Sequence, residues 1–217
     1  LLRFYGASLF EITEKQGGFL KCIELAAKKS KKNGYFGPKQ FESPWNIMAH
    51  TQGTAPELEN ALKINKLGDL DVFIAGMGTG GTIMGFHHYF SEKKGGFKAY
   101  PILPDKNKDG KHRIEGIGDS FIPKIVDLEA LSPILRVKDS DAINISRQIN
   151  KLGLSVGISS GANVFGAILK ASNISPESNV ATILCDGNKK YLSTDLCSQT
   201  PEELSHNIKV LDFEIFS

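Results

Sequence analysis

The chain has 217 residues, 41% of them apolar and 23% charged, with 26 basic against 24 acidic side chains and a mean hydropathy of -0.16. That balance excludes a disordered chain and supports a buried core, and no apolar run approaches the ~20 residues of a membrane-crossing helix. A net charge of +2 supplies no large field to draw nucleic acid or an anionic membrane surface.

In chain order, Ser8–Thr13 is a short apolar strand candidate, and Phe19–Lys32 has helical periodicity, with Phe19, Cys22, Ile23 and Ala26 on one face. The basic cluster Lys28–Lys32 reads as the solvated end of that helix, and Gly34 stops it. Tyr35–Asn46 holds Pro38 and Pro44 and reads as an irregular connection. Met48–Leu62 is a helix that Pro56 should limit or divide. Asp71–Ala75 is a buried strand, Gly76–Thr82 a glycine-rich turn and Ile83–Lys93 a helix. Phe97–Leu103 is the next strand, and Lys106–Gly118 a polar loop. Ile134–Lys138 (strand), Asp139–Leu152 (helix), Leu154–Ile158 (strand), Ala162–Ala171 (helix) and Val180–Cys185 (strand) follow. Strands alternating with helices across short joints imply an α/β fold with a parallel sheet covered on both faces.

The cysteines Cys22, Cys185 and Cys197 are odd in number, widely spaced and form no CxxC. A disulfide framework and a structural zinc site are therefore not expected, and a reducing cytoplasm suits the chain. His87 and His88 do not chelate together, because adjacent helical residues point about 100° apart, so no metal is expected. Cys185 reads as packing at a strand end.

The turn Gly76-Met77-Gly78-Thr79-Gly80-Gly81-Thr82 joins a strand to a helix. Four glycines in six residues let backbone N–H groups turn inward. The helix N-terminus adds unpaired donors and a positive dipole end, so the turn suits a phosphate. Gly76, Gly78 and Gly81 also match GxGxxG, with Asp105 placed as the acid a dinucleotide fold would require. A nucleotide P-loop fits less well, since Thr82 follows Gly81 where that motif has lysine. A second joint, Val156–Asn163, carries Ser159 and Ser160 and opens on the same sheet edge. Its serines suit either a ligand or a helix cap.

Five segments, taken together, resemble the cysteine synthase family of fold type II pyridoxal-phosphate enzymes, which includes cystathionine β-synthase. They are Tyr35–Asn46 with Thr54-Ala55-Pro56-Glu57, Asp71–Gly85, His112–Pro123, Val156–Ala162 and Lys190–Thr194. The resemblance implies a three-layer α/β sandwich with a mostly parallel sheet, like tryptophan synthase β. In that frame residues 1–34 are a remnant of the smaller N-terminal domain and 35–217 the larger cofactor-binding domain. It implies pyridoxal 5'-phosphate, with the phosphate on Gly78, Thr79, Gly80, Gly81 and Thr82, and Ser159 facing the pyridine nitrogen. Gly116 would line the substrate side. The implied activity is O-acetylserine sulfhydrylase: sulfide replaces acetate on Cβ of O-acetylserine and gives L-cysteine. The implied parent is a cytoplasmic homodimer acting on small molecules, with no nucleic-acid or membrane partner.

The resemblance covers the C-terminal two-thirds of a family member. The family's Schiff-base lysine lies in an N-terminal motif resembling PxxSxKxR, and Leu1–Gly6 resembles a segment that follows it. No lysine here has that context, so no catalytic residue is assigned. Ala55 replaces the usual Gly of TGPE, the stretch after Pro104 is short, and Asp186-Gly187-Asn188-Lys189 replaces a PDSGER-like approach to YLST. The alternatives are a cystathionine β-synthase-like enzyme, an inactive cofactor- or partner-binding fragment, and an NAD(P)-binding domain.

Overall fold

The computed structural model of the protein describes residues 2–106, 110–118, 121–198, 206–212 and 214. The chain forms two compact units, Leu1–Gln40 and Phe41–Ser217.

In the first unit, Ser8–Thr13 forms no strand. A strand needs a neighbour for its N–H and C=O groups, and the elements described in this unit are helical. Thr13 instead opens a 3-10 turn, Glu14–Gln16, and its N–H donates to Gln16 Oε1 (2.9 Å). Helix α1 spans Gly18–Lys29. Its apolar face is not buried: Phe19 and Leu20 are 48% and 55% exposed.

The second unit begins with one long helical run. Helix α2, Pro44–Ala49, starts with Pro44 in the first turn, where a missing N–H costs nothing. A π-helical turn, His50–Thr54, leads into α3, Ala55–Ile64. Pro56 therefore divides the run as expected from the sequence. Having no N–H, it cannot bond to the carbonyl four residues back, and the turn widens so that Ala55 N–H reaches His50 O.

Four strands follow among the described residues: β1 (Leu70–Gly76), β2 (Lys98–Pro104), β3 (Leu135–Val137) and β4 (Asn179–Thr182). All pair in parallel, in the order β3-β2-β1-β4. Helix α4 (Gly81–Ser91) links β1 to β2, while α5 (Asp139–Lys151) and α6 (Ile158–Ala171) link β3 to β4. The alternation of β1 fills two cores. Val72 and Ile74 pack with Ile143, Ile145, Ile149, Ala162 and Phe165 of α5 and α6. Phe73 and Ala75 pack with Ile83, Met84, Phe86 and Phe90 of α4, and the Phe73 and Phe86 rings stack at 3.6 Å. Helices thus cover both faces of the sheet. No helix among the described residues is long and apolar enough to cross a membrane.

Leu154–Ile158 is not the strand its apolar run suggests. Asn150 takes its backbone: Asn150 Nδ2 donates to Val156 O (2.8 Å), and Val156 N–H donates to Asn150 Oδ1 (3.3 Å). Gly157 N–H donates to Asp186 O (2.8 Å). Helix α6 consequently begins at Ile158, and Ser159 and Ser160 lie inside its first turn.

Outside the core, Glu59 of α3 accepts from Lys63 (2.9 Å), Lys93 (3.0 Å) and Tyr89 (3.1 Å), tying α3 to α4. Lys63 first, then Lys93, hold its carboxyl down to about 2. A depressed carboxylate pKa stabilises the fold above the ordinary carboxylate range, and that contribution is lost as pH falls toward 2. Glu59→Gln should therefore cost about 1 kcal/mol at neutral pH, as expected for a partly exposed charge network. Thermal melts should show the deficit closing near pH 2. A deficit that persists undiminished there would contradict the assignment.

Candidate active site

The strand order reverses between β1 and β4: the chain moves from β1 through α4 to β2, and returns from β3 to the other side of β1. In open parallel sheets the crevice at such a reversal, beyond the strand C-termini, takes the ligand. Three segments meet there: the Gly76–Thr82 turn, the Glu115–Gly118 turn and the start of α6.

The Gly76–Thr82 turn is held by its backbone. Met77 N–H donates to Ile102 O (2.9 Å), and Gly118 N–H donates to Met77 O (3.2 Å). The glycines leave room for close neighbours, least dispensably at Gly78, which meets backbone. A Cβ on Gly78 would stand 2.3 Å from the Gly116 carbonyl oxygen, one on Gly80 2.1 Å from Val126, and one on Gly81 1.9 Å from Asn46 Oδ1. Gly80 also has a φ of +86°, a conformation that favours glycine. The amides of Gly78, Thr79, Gly80 and Thr82 find no acceptor among the described residues. With the hydroxyls of Thr79 and Thr82 they gather hydrogen-bonding groups at the N-terminus of α4, a setting that suits an anion.

The helical run α2–α3 backs this turn, a feature the sequence reading did not single out. Asn46 Nδ2 donates to Thr79 Oγ1 (2.9 Å). His50 Nε2 lies 3.2 Å from Thr82 Oγ1, and its Nδ1 lies 3.0 Å from Thr54 Oγ1. Burial lowers the His50 pKa, favouring the neutral ring.

Ser159 is 6% exposed in the first turn of α6. Asn163, one turn on and on the same helix face, is fully buried. It joins the edges of the site: its Oδ1 accepts from Gly76 N–H (2.7 Å), and its Nδ2 donates to Ile183 O (2.8 Å). Ser160 Oγ accepts from Cys185 N–H (2.9 Å).

Cys185 lies beyond the end of β4 and is exposed, not packed within a strand. Its thiol is still crowded enough that desolvation raises its pKa, against a hydrogen bond from Ser159. The Asp186-Gly187-Asn188-Lys189 stretch approaches the same edge. The Tyr191 hydroxyl donates to Asp186 Oδ2 (2.9 Å), and burial, then this carboxylate, raise the tyrosine pKa. Gly116 is exposed, with a φ of +85° and open space where a Cβ would stand.

A glycine turn at the sheet reversal, with amides that find no acceptor among the described residues, has the chemistry of an anion site. Residues 1–186 match the family of pyridoxal-phosphate dependent enzymes, and the chain belongs to that family, whose cofactor is pyridoxal 5'-phosphate. It is 41% identical over 203 residues to cysteine synthase B of Campylobacter jejuni, covering 90% of this chain and 66% of that protein. The crystal structure of a hydrogen sulfide-producing enzyme from Fusobacterium nucleatum superposes with a TM-score of 0.87 at 39% identity, covering 94% of this chain and 63% of that one. Cysteine synthase from Entamoeba histolytica superposes with a TM-score of 0.79 at 30% identity, covering 94% and 61%. The chain thus spans about two thirds of the length of the curated relatives it matches.

Proposed function

We propose that this chain is the cofactor-binding part of a cysteine synthase, which replaces the acetate of O-acetylserine with sulfide and forms L-cysteine. The observation that carries the reading is the donor cup at Gly78–Thr82. Its unpaired amides and the room kept by missing Cβ atoms fit the phosphate end of pyridoxal 5'-phosphate. In this reading Gly78, Thr79, Gly80, Gly81 and Thr82 bind the phosphate. The Ser159 hydroxyl turns from the Cys185 thiol to the pyridine nitrogen, and the Gly116 turn lines the substrate side. When bound, the cofactor supplies an electron sink for loss of a β-substituent. A neutral serine at the ring nitrogen makes that sink weaker than a carboxylate would, which suits β-replacement. The names of the relatives add independent weight.

A second reading, production of hydrogen sulfide, is favoured by the likeness to the Fusobacterium hydrogen sulfide-producing enzyme. Both readings are tested on the purified protein by titrating pyridoxal 5'-phosphate, trapping with borohydride, and then assaying cysteine from O-acetylserine and sulfide. Saturable binding with cysteine formation is the expected result for the protein carrying its Schiff-base lysine. For a chain limited to these residues, binding without a trapped adduct is expected. Sulfide release from cysteine in place of cysteine formation would shift the assignment to the second reading. No binding would overturn both.

A further inference from the structure

The helical run behind the phosphate cup makes contacts that exceed what packing needs. Gly81 and Gly85 lie one turn apart on α4. Their missing side chains admit Asn46 and His50, since a Cβ on Gly85 would stand 2.5 Å from His50 Cβ and 3.0 Å from Ile47 O. Thr51 Oγ1 shares its one hydrogen between Ile47 O (3.1 Å) and Gly85 O (3.3 Å), at the crossing. With the helices this close, the polar ends of Asn46 and His50 reach the hydroxyls of Thr79 and Thr82.

A phosphate oxygen only accepts. A threonine hydroxyl has one hydrogen, so it serves the phosphate only if that hydrogen points into the cup. Its oxygen must then accept from behind. Asn46 Nδ2 is such a donor, and Gly81 N–H adds a second to Thr79 Oγ1 at 3.3 Å. Thr82 depends on His50. A neutral imidazole has one N–H and one acceptor nitrogen. With the proton on Nε2, the ring donates to Thr82 Oγ1 and accepts the Thr54 hydroxyl on Nδ1. With the proton on Nδ1, Thr82 must donate backward and would turn lone pairs toward the anion.

We propose that Asn46 and His50 are positioning residues for the cofactor phosphate. They hold the hydroxyl hydrogens of Thr79 and Thr82 toward it, and His50 carries its proton on Nε2 when the phosphate is bound. The inference rests on the cup's binding the phosphate of pyridoxal 5'-phosphate.

The test compares dissociation constants for pyridoxal 5'-phosphate and for pyridoxal, which lacks the phosphate, in the purified protein and its variants. His50→Ala retains the Cβ that seats against Gly85, so the helix crossing is kept. His50→Ala and Thr82→Val should each weaken the phosphorylated ligand about tenfold, the scale of one lost hydrogen bond to a charged group. The double variant should lose little more than either alone. His50→Gln, which keeps an amide donor at similar reach, should recover most of the affinity, and pyridoxal should bind all variants alike. Nitrogen-15 NMR of the loaded protein should show the hydrogen on Nε2. Equal losses for pyridoxal, additive losses in the double variant, or a proton on Nδ1 would overturn the role of His50. If the unaltered protein binds pyridoxal 5'-phosphate no better than pyridoxal, the phosphate reading of the cup fails, and the inference with it.

Discussion

Gly78→Ala is expected to weaken pyridoxal 5'-phosphate binding at least ~100-fold while leaving the protein folded. Among the cup glycines, Gly78 has the least forgiving neighbour. Its added methyl would meet the Gly116 carbonyl oxygen at 2.3 Å, and that oxygen belongs to backbone that no rotamer change can move. Gly81 faces the Asn46 carboxamide, a side-chain end rather than backbone, which hydrogen-bonds Thr79. Relief at Gly78 requires the two turns to part, which strains the Gly118 N–H to Met77 O bond and spreads the donor set. Overpacking of this kind costs about 1–3 kcal/mol of stability, or a melting shift of roughly 2–10 °C for a chain of this size. The loss of affinity should exceed that, because several amides lose their common focus at once. Gly95→Ala is the control: Gly95 has open space around its Cβ position and no positive φ, so it should leave the affinity unchanged. Absorbance titration and a thermal melt on both variants separate the outcomes. Near-normal affinity in Gly78→Ala would remove the Gly116 turn from the site.

Local chemistry accounts for what the sequence made legible. Leu70–Gly76 and Lys98–Pro104 are central strands, so apolar runs bounded by glycine and polar residues announce them. The glycine turn proposed to bind the phosphate is similarly local, being a glycine run between a buried strand and a helix. What stayed hidden depends on distant partners. Ser8–Thr13 and Leu154–Ile158 have strand-like composition, yet whether a strand forms depends on a neighbour with free backbone groups. At Val156 a side chain, Asn150, took that place. Asn46 and His50 act on hydroxyls 33 and 32 residues further along the chain, through a helix crossing that no single-segment pattern encodes. A signal that could have found them is indirect: polar residues spaced one turn apart, ahead of the proline that widens the helical run. Helix α6 began four residues earlier than its composition suggested, because Ile158–Gly161 reads equally as strand end or loop. That shift moved Ser159 and Asn163 onto one helix face.

Asn163 carries the second large expected effect, this one on stability. Strand β4 pairs with β1 only as far as Thr182 opposite Ile74. Beyond that point Gly76 N–H and Ile183 C=O have lost the ladder between them. The Asn163 carboxamide supplies both missing halves, accepting from Gly76 (2.7 Å) and donating to Ile183 (2.8 Å) while fully buried. It stands in for a peptide unit and closes the sheet where the cofactor domain reverses. Asn163→Leu matches the volume but takes the acceptor from the partly buried Gly76 N–H and leaves the partly buried Ile183 O with only the long contact from Cys185 Sγ (3.9 Å). At about 1–3 kcal/mol for each, the total is roughly 2–6 kcal/mol, or a melting shift of about 5–20 °C. Asn163→Asp separates the polar role from shape. The carboxylate still accepts from Gly76, but it faces Ile183 O without a hydrogen, and burial raises its pKa above that of the unfolded chain. Its protonated form can donate again. The variant should therefore be most stable below the ordinary carboxylate pKa and lose stability as pH rises through the raised folded value. Melts of the unaltered protein and both variants between pH 4 and 8 test this. If Asn163→Asp tracks the unaltered protein across that range, or Asn163→Leu melts within about 2 °C of it, the bridge from Gly76 to Ile183 does not close the sheet.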